Sequence, residues 1–170
     1  MLKETSEHRR VRIHQAVMGA KAGRYLVIRI LAALVFFMNL YWALLLVGQG
    51  SAAIALPALN AAVSVLVLGE AAVCVSHTED GGREYLAVSH KALAASAVLS
   101  LATGLASALG VSSLLFPFFS TGLVGFVASL VACTLKVAMI AKIVSVRDRT
   151  DKRYRQYLRY VELAYEQAER

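Results

Sequence analysis

Cysteine, proline and charge are all scarce in the body of this chain, and each scarcity removes a class of protein. The only cysteines, Cys74 and Cys133, both lie inside apolar runs, so no extracytoplasmic disulfide is available to argue a fold or a redox compartment. No G-x-S-x-G, Walker-type loop, H-E-x-x-H or paired carboxylates occur, which leaves an enzyme without its usual machinery. Charged residues make up 17% of the sequence, whereas a soluble domain carries about 25–35% on its surface. With 58% hydrophobic residues and a mean hydropathy of +0.61, this excludes a water-soluble fold.

What is present in abundance is long apolar sequence. Runs at 30–47, 53–76, 92–115 and 118–141 hold only two charges, Glu70 and Lys136. A bilayer core of about 30 Å needs about 20 apolar helical residues, and backbone amides in lipid must be satisfied within their own segment. The sequence therefore predicts an all-α, polytopic membrane protein with four transmembrane helices.

The basic residues give the spans a direction. Of the 18 Lys and Arg, seven precede the first run, eight follow the last, and Arg83 and Lys91 lie in the middle connection. The connections at 48–52 and 116–117 have none. Because positive charge in short loops stays on the cytoplasmic side, both termini and residues 77–91 are expected on the cytoplasmic side of the cell membrane. Tyr41, Trp42, Phe116, Phe118 and Phe119 fall near the opposite interface, where amphipathic rings are favoured. A signal-peptide reading rests on Ala53 and Ala55 as an A-x-A pattern, but cleavage there would strand another apolar helix from Ile54 onward.

Helix breakers mark the hairpins. Gly48, Gly50 and Ser51 form the first outer turn, Pro57 lies early in the second span, and Pro117 opens the fourth. Short turns force antiparallel neighbours, so the expected architecture is an up-down four-helix bundle, N-in and C-in. The domain plan is a basic segment 1–29 with an interfacial helix over 9–25, a bundle 30–143, and a cytoplasmic amphipathic helix 144–170. Gly23-Arg24-Tyr25-Leu26 and Gly82-Arg83-Glu84-Tyr85-Leu86 each precede a hairpin, which reads either as a duplication or as a shared taste for the inner interface.

In the tail, Tyr154, Tyr157, Leu158, Val161, Ala164, Tyr165 and Ala168 recur at helical spacing opposite a charged face. Arg147, Arg149, Lys152, Arg153, Arg155 and Arg159 suit an anionic inner leaflet, with Tyr157, Leu158 and Val161 supplying membrane or partner contact. Each basic group near such a surface contributes about 1 kcal/mol. The same charges could meet nucleic acid, but their place beside a final span assigns them to the bilayer.

Six further residues and the two charges are the candidates for chemistry. Glu70 and Lys136 are expected at similar depth, close enough to pair, as part of an ion path or as a register-setting pair, with Lys136 alternatively snorkelling inward. Lys136 shares a helical stripe with Gly122, Gly125, Ser129 and Cys133, whose small side chains favour close packing. Asn39 and Asn60 are placed to bond across the first hairpin. Ser96, Ser100, Thr103 and Ser107 form one hydroxyl stripe on the third span, either lining a pore or packing. Glu70, Cys74 and His77 share a face, but their spacing matches no closed metal site, so neither metal nor cofactor is expected.

Two functions follow. The favoured one is a non-enzymatic assembly, anchoring or scaffold subunit working through its cytoplasmic helices, as a homo-oligomer or with a membrane-protein partner. The alternative is an oligomeric channel or transporter component using Glu70, Lys136 and the hydroxyl stripe as a polar path.

Overall fold

The computed structural model describes residues 2–76, 86–118, 121–151, 154–156, 158–159 and 161–162. Every regular element among them is helical: α1 (Leu2–Gly48), a 3-10 turn (Ala52–Ile54), α2 (Ala55–Ser76), α3 (Ala87–Ala106), a π turn (Ser107–Val111), α4 (Ser112–Leu115) and α5 (Gly122–Arg147). Four stretches are long and apolar enough to cross a membrane: Gln15–Gly48, Ala52–Ser76, Ala87–Val111 and Gly122–Arg147. Expectations that fall on 77–85, including His77, and on Phe119, Lys152, Arg153, Tyr157 and 163–170 lie outside the described residues.

The first helix is continuous across the expected division at its start. A separate interfacial helix over 9–25 merges into α1, which runs 47 residues without a break. Nothing in that stretch is a proline, and its glycines at 19 and 23 are isolated, so no residue stops the helix. At 1.5 Å per residue α1 is about 70 Å long, more than twice a bilayer core.

Burial follows one face of each helix. Ile28, Ala32, Val35, Asn39 and Leu46 form the buried stripe of α1, and Pro57, Asn60, Ser64, Val67, Ala71 and Cys74 that of α2. Helix α1 packs chiefly on α2 and α3 on α5, while α1–α5 and α2–α3 contacts close the bundle. The opposite faces expose large apolar side chains such as Phe37, Leu44, Leu123 and Val137. Such an exterior would be intolerable in water and is ordinary in lipid.

The interior is graded along its length. Toward the end where Arg24, Lys142 and Arg147 lie, it is apolar, built from Ile28, Val35, Val67, Leu93, Met139 and Ile143. Toward the end formed by Gly48–Ala52, Phe116–Phe118 and Thr121, polar and small residues line the middle of the bundle and a second apolar cluster of Leu46, Ala53, Leu115 and Phe116 closes it. These are called the basic end and the turn end.

At the turn end the boundaries of the last two spans differ from expectation. The third begins at Ala87 rather than at 92, and its helical course is broken at Gly110, whose φ of +105° only glycine adopts without strain. The fourth begins at Gly122 after an extended Thr121, not at Pro117, and ends at Arg147. Leu114 to Phe118 fold back over the bundle because Phe116 finds burial there. Its ring stacks on Trp42 at 4.8 Å, and Trp42 Nε1 donates to the Leu115 carbonyl at 3.1 Å. Ser51 Oγ donates to the Leu114 carbonyl at 3.2 Å, tying the first turn to this cap.

Two glycines permit the close packing of α3 on α5. A Cβ on Gly104 would lie 2.8 Å from Ser129 Cβ, and one on Gly125 would collide with Ser107 Oγ and the Phe116 ring.

Candidate functional site

Among the described residues Lys136 is the largest fully buried side chain, at 1% exposure. Its carrier helix explains its direction: side chains on α5 tilt toward the N-terminus of the helix, which is the turn end. The long stem therefore carries the ammonium away from the basic end and into the polar half of the interior. There Nζ donates to Asn60 Oδ1 at 2.8 Å, to the Ser96 carbonyl at 3.0 Å and to Ser100 Oγ at 2.5 Å. Three acceptors match the three hydrogens of an ammonium. Ser96 Oγ donates to the same Asn60 oxygen at 2.5 Å, so α2, α3 and α5 meet in one network.

This geometry corrects the expected pair. Glu70 is not among the partners of Lys136; its Oε2 accepts the backbone amide of Ser89 at 3.1 Å. Ser89 is in the first turn of α3, whose initial amides lack helical acceptors, and a carboxylate there also complements the helix dipole. The preceding Leu86 adopts a left-handed φ of 70° and offers no side-chain cap, so Glu70 supplies one from the neighbouring helix. Leu93 lies between Ser89 and Ser96 on the buried face of α3 and separates the two polar groups. The snorkelling alternative for Lys136 fails for the same directional reason.

Asn39 and Asn60 do not bond each other either. Asn39 Nδ2 donates to the Val35 carbonyl of its own helix at 2.7 Å, and the Asn60 oxygen is taken by Lys136 and Ser96. The hydroxyl stripe also divides. Ser96 and Ser100 join the lysine network, Thr103 Oγ1 donates to the Leu99 carbonyl at 2.8 Å, and Ser107 Oγ reaches across to the Gly122 carbonyl at 3.1 Å.

Between this network and the aromatic cap lies a cavity of about 420 Å³. Asn39, Asn60, Ser100, Thr103 and Ser129 give it polar walls, and Met38, Trp42, Phe116 and Phe118 give it apolar ones. Its volume falls within the span of about 300–1,000 Å³ usual for small-molecule sites. Trp42, Phe116 and Ser129 enter this site without having been singled out by spacing as its walls. The stripe of small residues on the Lys136 face was the signal for Ser129.

A second polar centre sits at the basic end. Arg24 of α1, only 4% exposed, donates from Nη2 to the Val146 carbonyl at 3.1 Å, and its Nε lies 3.9 Å from Asp151. Lys142 Nζ meets the other Asp151 oxygen at 3.0 Å, and the Arg24 guanidinium lies 4.7 Å from the centre of the Tyr154 ring. The chain reaches this point because α5 ends in a reversal. Arg149 takes φ 57°, its amide bonds to Val146 and that of Thr150 to Ser145, the paired bonds of a Schellman stop. Nothing in the spacing of Arg24 and Asp151, 127 positions apart, announces their meeting.

Of the tail residues expected to face membrane or partner, Arg147, Arg149, Arg155, Leu158 and Arg159 are exposed and Val161 is partly so. Compared with protein families, curated proteins and solved structures, the chain matches none of them.

Proposed function

We propose that this protein is a multi-pass anchor of the cell membrane, an up-down bundle with both termini in the cytoplasm, that holds partners through its cytoplasmic helices and catalyses no reaction. The observation that carries this reading is the Arg24–Asp151–Lys142 cluster, with the Tyr154 ring over Arg24. A tail that merely trailed from a span would not need a nearly buried carboxylate held between two cations. Fixing the root of the tail against α1 gives the basic end a defined shape, which a docking surface requires and a loose extension lacks.

The charge plan supports the same reading. Lysine and arginine crowd both ends of the sequence and are absent from the turn end, as the positive-inside rule demands of an N-in, C-in protein. The tail continues as an amphipathic helix along the anionic inner leaflet, its described residues at 154–156, 158–159 and 161–162 being helical. A homo-oligomer or a membrane-protein partner fits the broad apolar exterior. The channel alternative draws less support, because Glu70 and Lys136 occupy separate networks and most of the stripe hydroxyls bond within the bundle.

The test is a pull-down of the full chain in mild detergent against a form ending at residue 152, with reporter fusions at both ends fixing orientation. A stoichiometric partner lost with the tail supports the anchor. Partner retention without the tail, or solute flux in liposomes that depends on Glu70, overturns it.

A further inference from the structure

The cavity between Lys136 and the aromatic cap has features that packing does not require. Asn60 is 3% exposed, and while its oxygen accepts from Lys136 and Ser96, its Nδ2 has no hydrogen-bond partner among the described residues. Ser129, 6% exposed, likewise has none for its hydroxyl among the described residues. Ser100 Oγ accepts from Lys136 and so keeps its own hydrogen to donate. All three residues line the cavity. Its floor thus presents hydrogen-bond donors, and behind them stands an ammonium whose partners are all neutral. A buried charge without a counter-charge favours an anion nearby, most of all where the dielectric is low. Asn39 and Thr103 contribute dipoles but no charge to the same walls.

The rest of the lining is apolar and aromatic, and its edge reaches the outside of the bundle. Met38 and Tyr41 on α1 line the cavity and are 42% and 66% exposed, while Ala128 and Ala132 on the facing side of α5 leave room beside them. This exterior is the apolar face that a membrane-spanning bundle turns to lipid, so entry is lateral, from the bilayer.

We propose that this cavity binds a single-chain anionic lipophile, its carboxylate or equivalent oxyanion received by Asn60 Nδ2 and Ser100 Oγ in front of Lys136, and its apolar body lying along Trp42, Met38 and Phe118. The proposal rests on the membrane reading of the chain but not on its anchoring role, and a ligand site could equally serve an anchor whose docking responds to lipid.

Trp42 is the only tryptophan, so all of the chain's indole fluorescence comes from a wall of this cavity. The full chain in an uncharged detergent is titrated with a dibrominated fatty acid, its methyl ester and a dibrominated phosphatidylglycerol, bromine quenching the indole on contact. The acid should quench saturably at a concentration about tenfold below either of the others, a difference large enough to read as preference. Asn60→Asp keeps the acceptor for Lys136 but neutralises the floor, and it should erase the advantage of acid over ester. Ala132→Phe fills the mouth and should remove saturable quenching by every probe. Equal quenching by acid and ester in the parent, an acid advantage that survives Asn60→Asp, or saturation that survives Ala132→Phe overturns the site. Phosphatidylglycerol binding as tightly as the acid overturns the single-chain assignment. A lost partner in the pull-down with intact acid preference would fault the anchoring reading alone.

Discussion

Asn60 Oδ1 stands 2.8 Å from Lys136 Nζ, joining α2 to α5 through a contact 76 positions apart in sequence. One oxygen thereby anchors a buried cation and, through Ser96, the third helix of the bundle. The energetics of this contact are asymmetric. Taking away an acceptor strands a charge in the interior, whereas replacing the charge by an apolar side chain of similar length removes the need for acceptors.

Asn60→Leu should therefore destabilise the bundle by about 3 kcal/mol, while Lys136→Met should change it by less than about 1 kcal/mol or stabilise it. The double variant should recover most of what Asn60→Leu loses. Reversible unfolding in mixed micelles measures all three, and additive single effects would contradict the network.

Glu70→Ala should remove an α3 cap contributed by another helix and lower stability by about 1 kcal/mol, the usual scale of a lost N-cap. Glu70→Gln keeps an acceptor for Ser89 and loses only the attraction to the helix dipole, about 0.3–1 kcal/mol. Thermal unfolding followed by circular dichroism gives the order Ala below Gln below parent. A larger loss for Gln than for Ala would show that the charge itself is paired elsewhere.

Gly104→Ala should cost about 1–3 kcal/mol through overpacking, since the new methyl would meet Ser129 Cβ at 2.8 Å. Ser129→Gly by itself should be mild, and combined with Gly104→Ala it should relieve most of the clash. The readout is the coupling energy of the double-mutant cycle, which vanishes if α3 and α5 do not touch there.

Asp151→Ala should leave Arg24 and Lys142 without their shared carboxylate and release the root of the tail, a local loss of about 3 kcal/mol for a nearly buried ion pair. The transmembrane bundle should keep its unfolding midpoint within about 1 kcal/mol, because apolar packing between α1 and α5 remains. Limited proteolysis should then cut near Arg147 and Arg149 much faster than in the parent. Unchanged cleavage would mean that the tail is held elsewhere.

The two polar centres differ in how far the sequence exposed them. Lys136, Asn60, Ser96 and Ser100 were each visible as polar residues in apolar runs, since lipid tolerates such groups only where a partner satisfies them. Their partners were not visible. Similar depth suggested Glu70 for Lys136, but charge and depth say nothing about which way a stem leans, and α5 leans it toward the turn end. Arg24 and Asp151 were hidden among the flanking charges, because a basic residue beside a span has an ordinary interfacial explanation and nothing local separates a buried one from it. The shift at Pro117 has a similar origin. Leu114 to Phe118 is apolar enough to pass for membrane, yet Gly110 bends the chain and Phe116 is spent on Trp42.

By itself the sequence determined that four helices are long and apolar enough to cross a membrane, because hydropathy and helix length are local sums that need no partner. Only the tertiary structure decided which polar groups meet, that Glu70 caps a helix while Lys136 is held by neutral acceptors, and that a cavity remains beneath Trp42. Those outcomes depend on helix rotation and side-chain direction across four packed segments, quantities that no single stretch of residues carries.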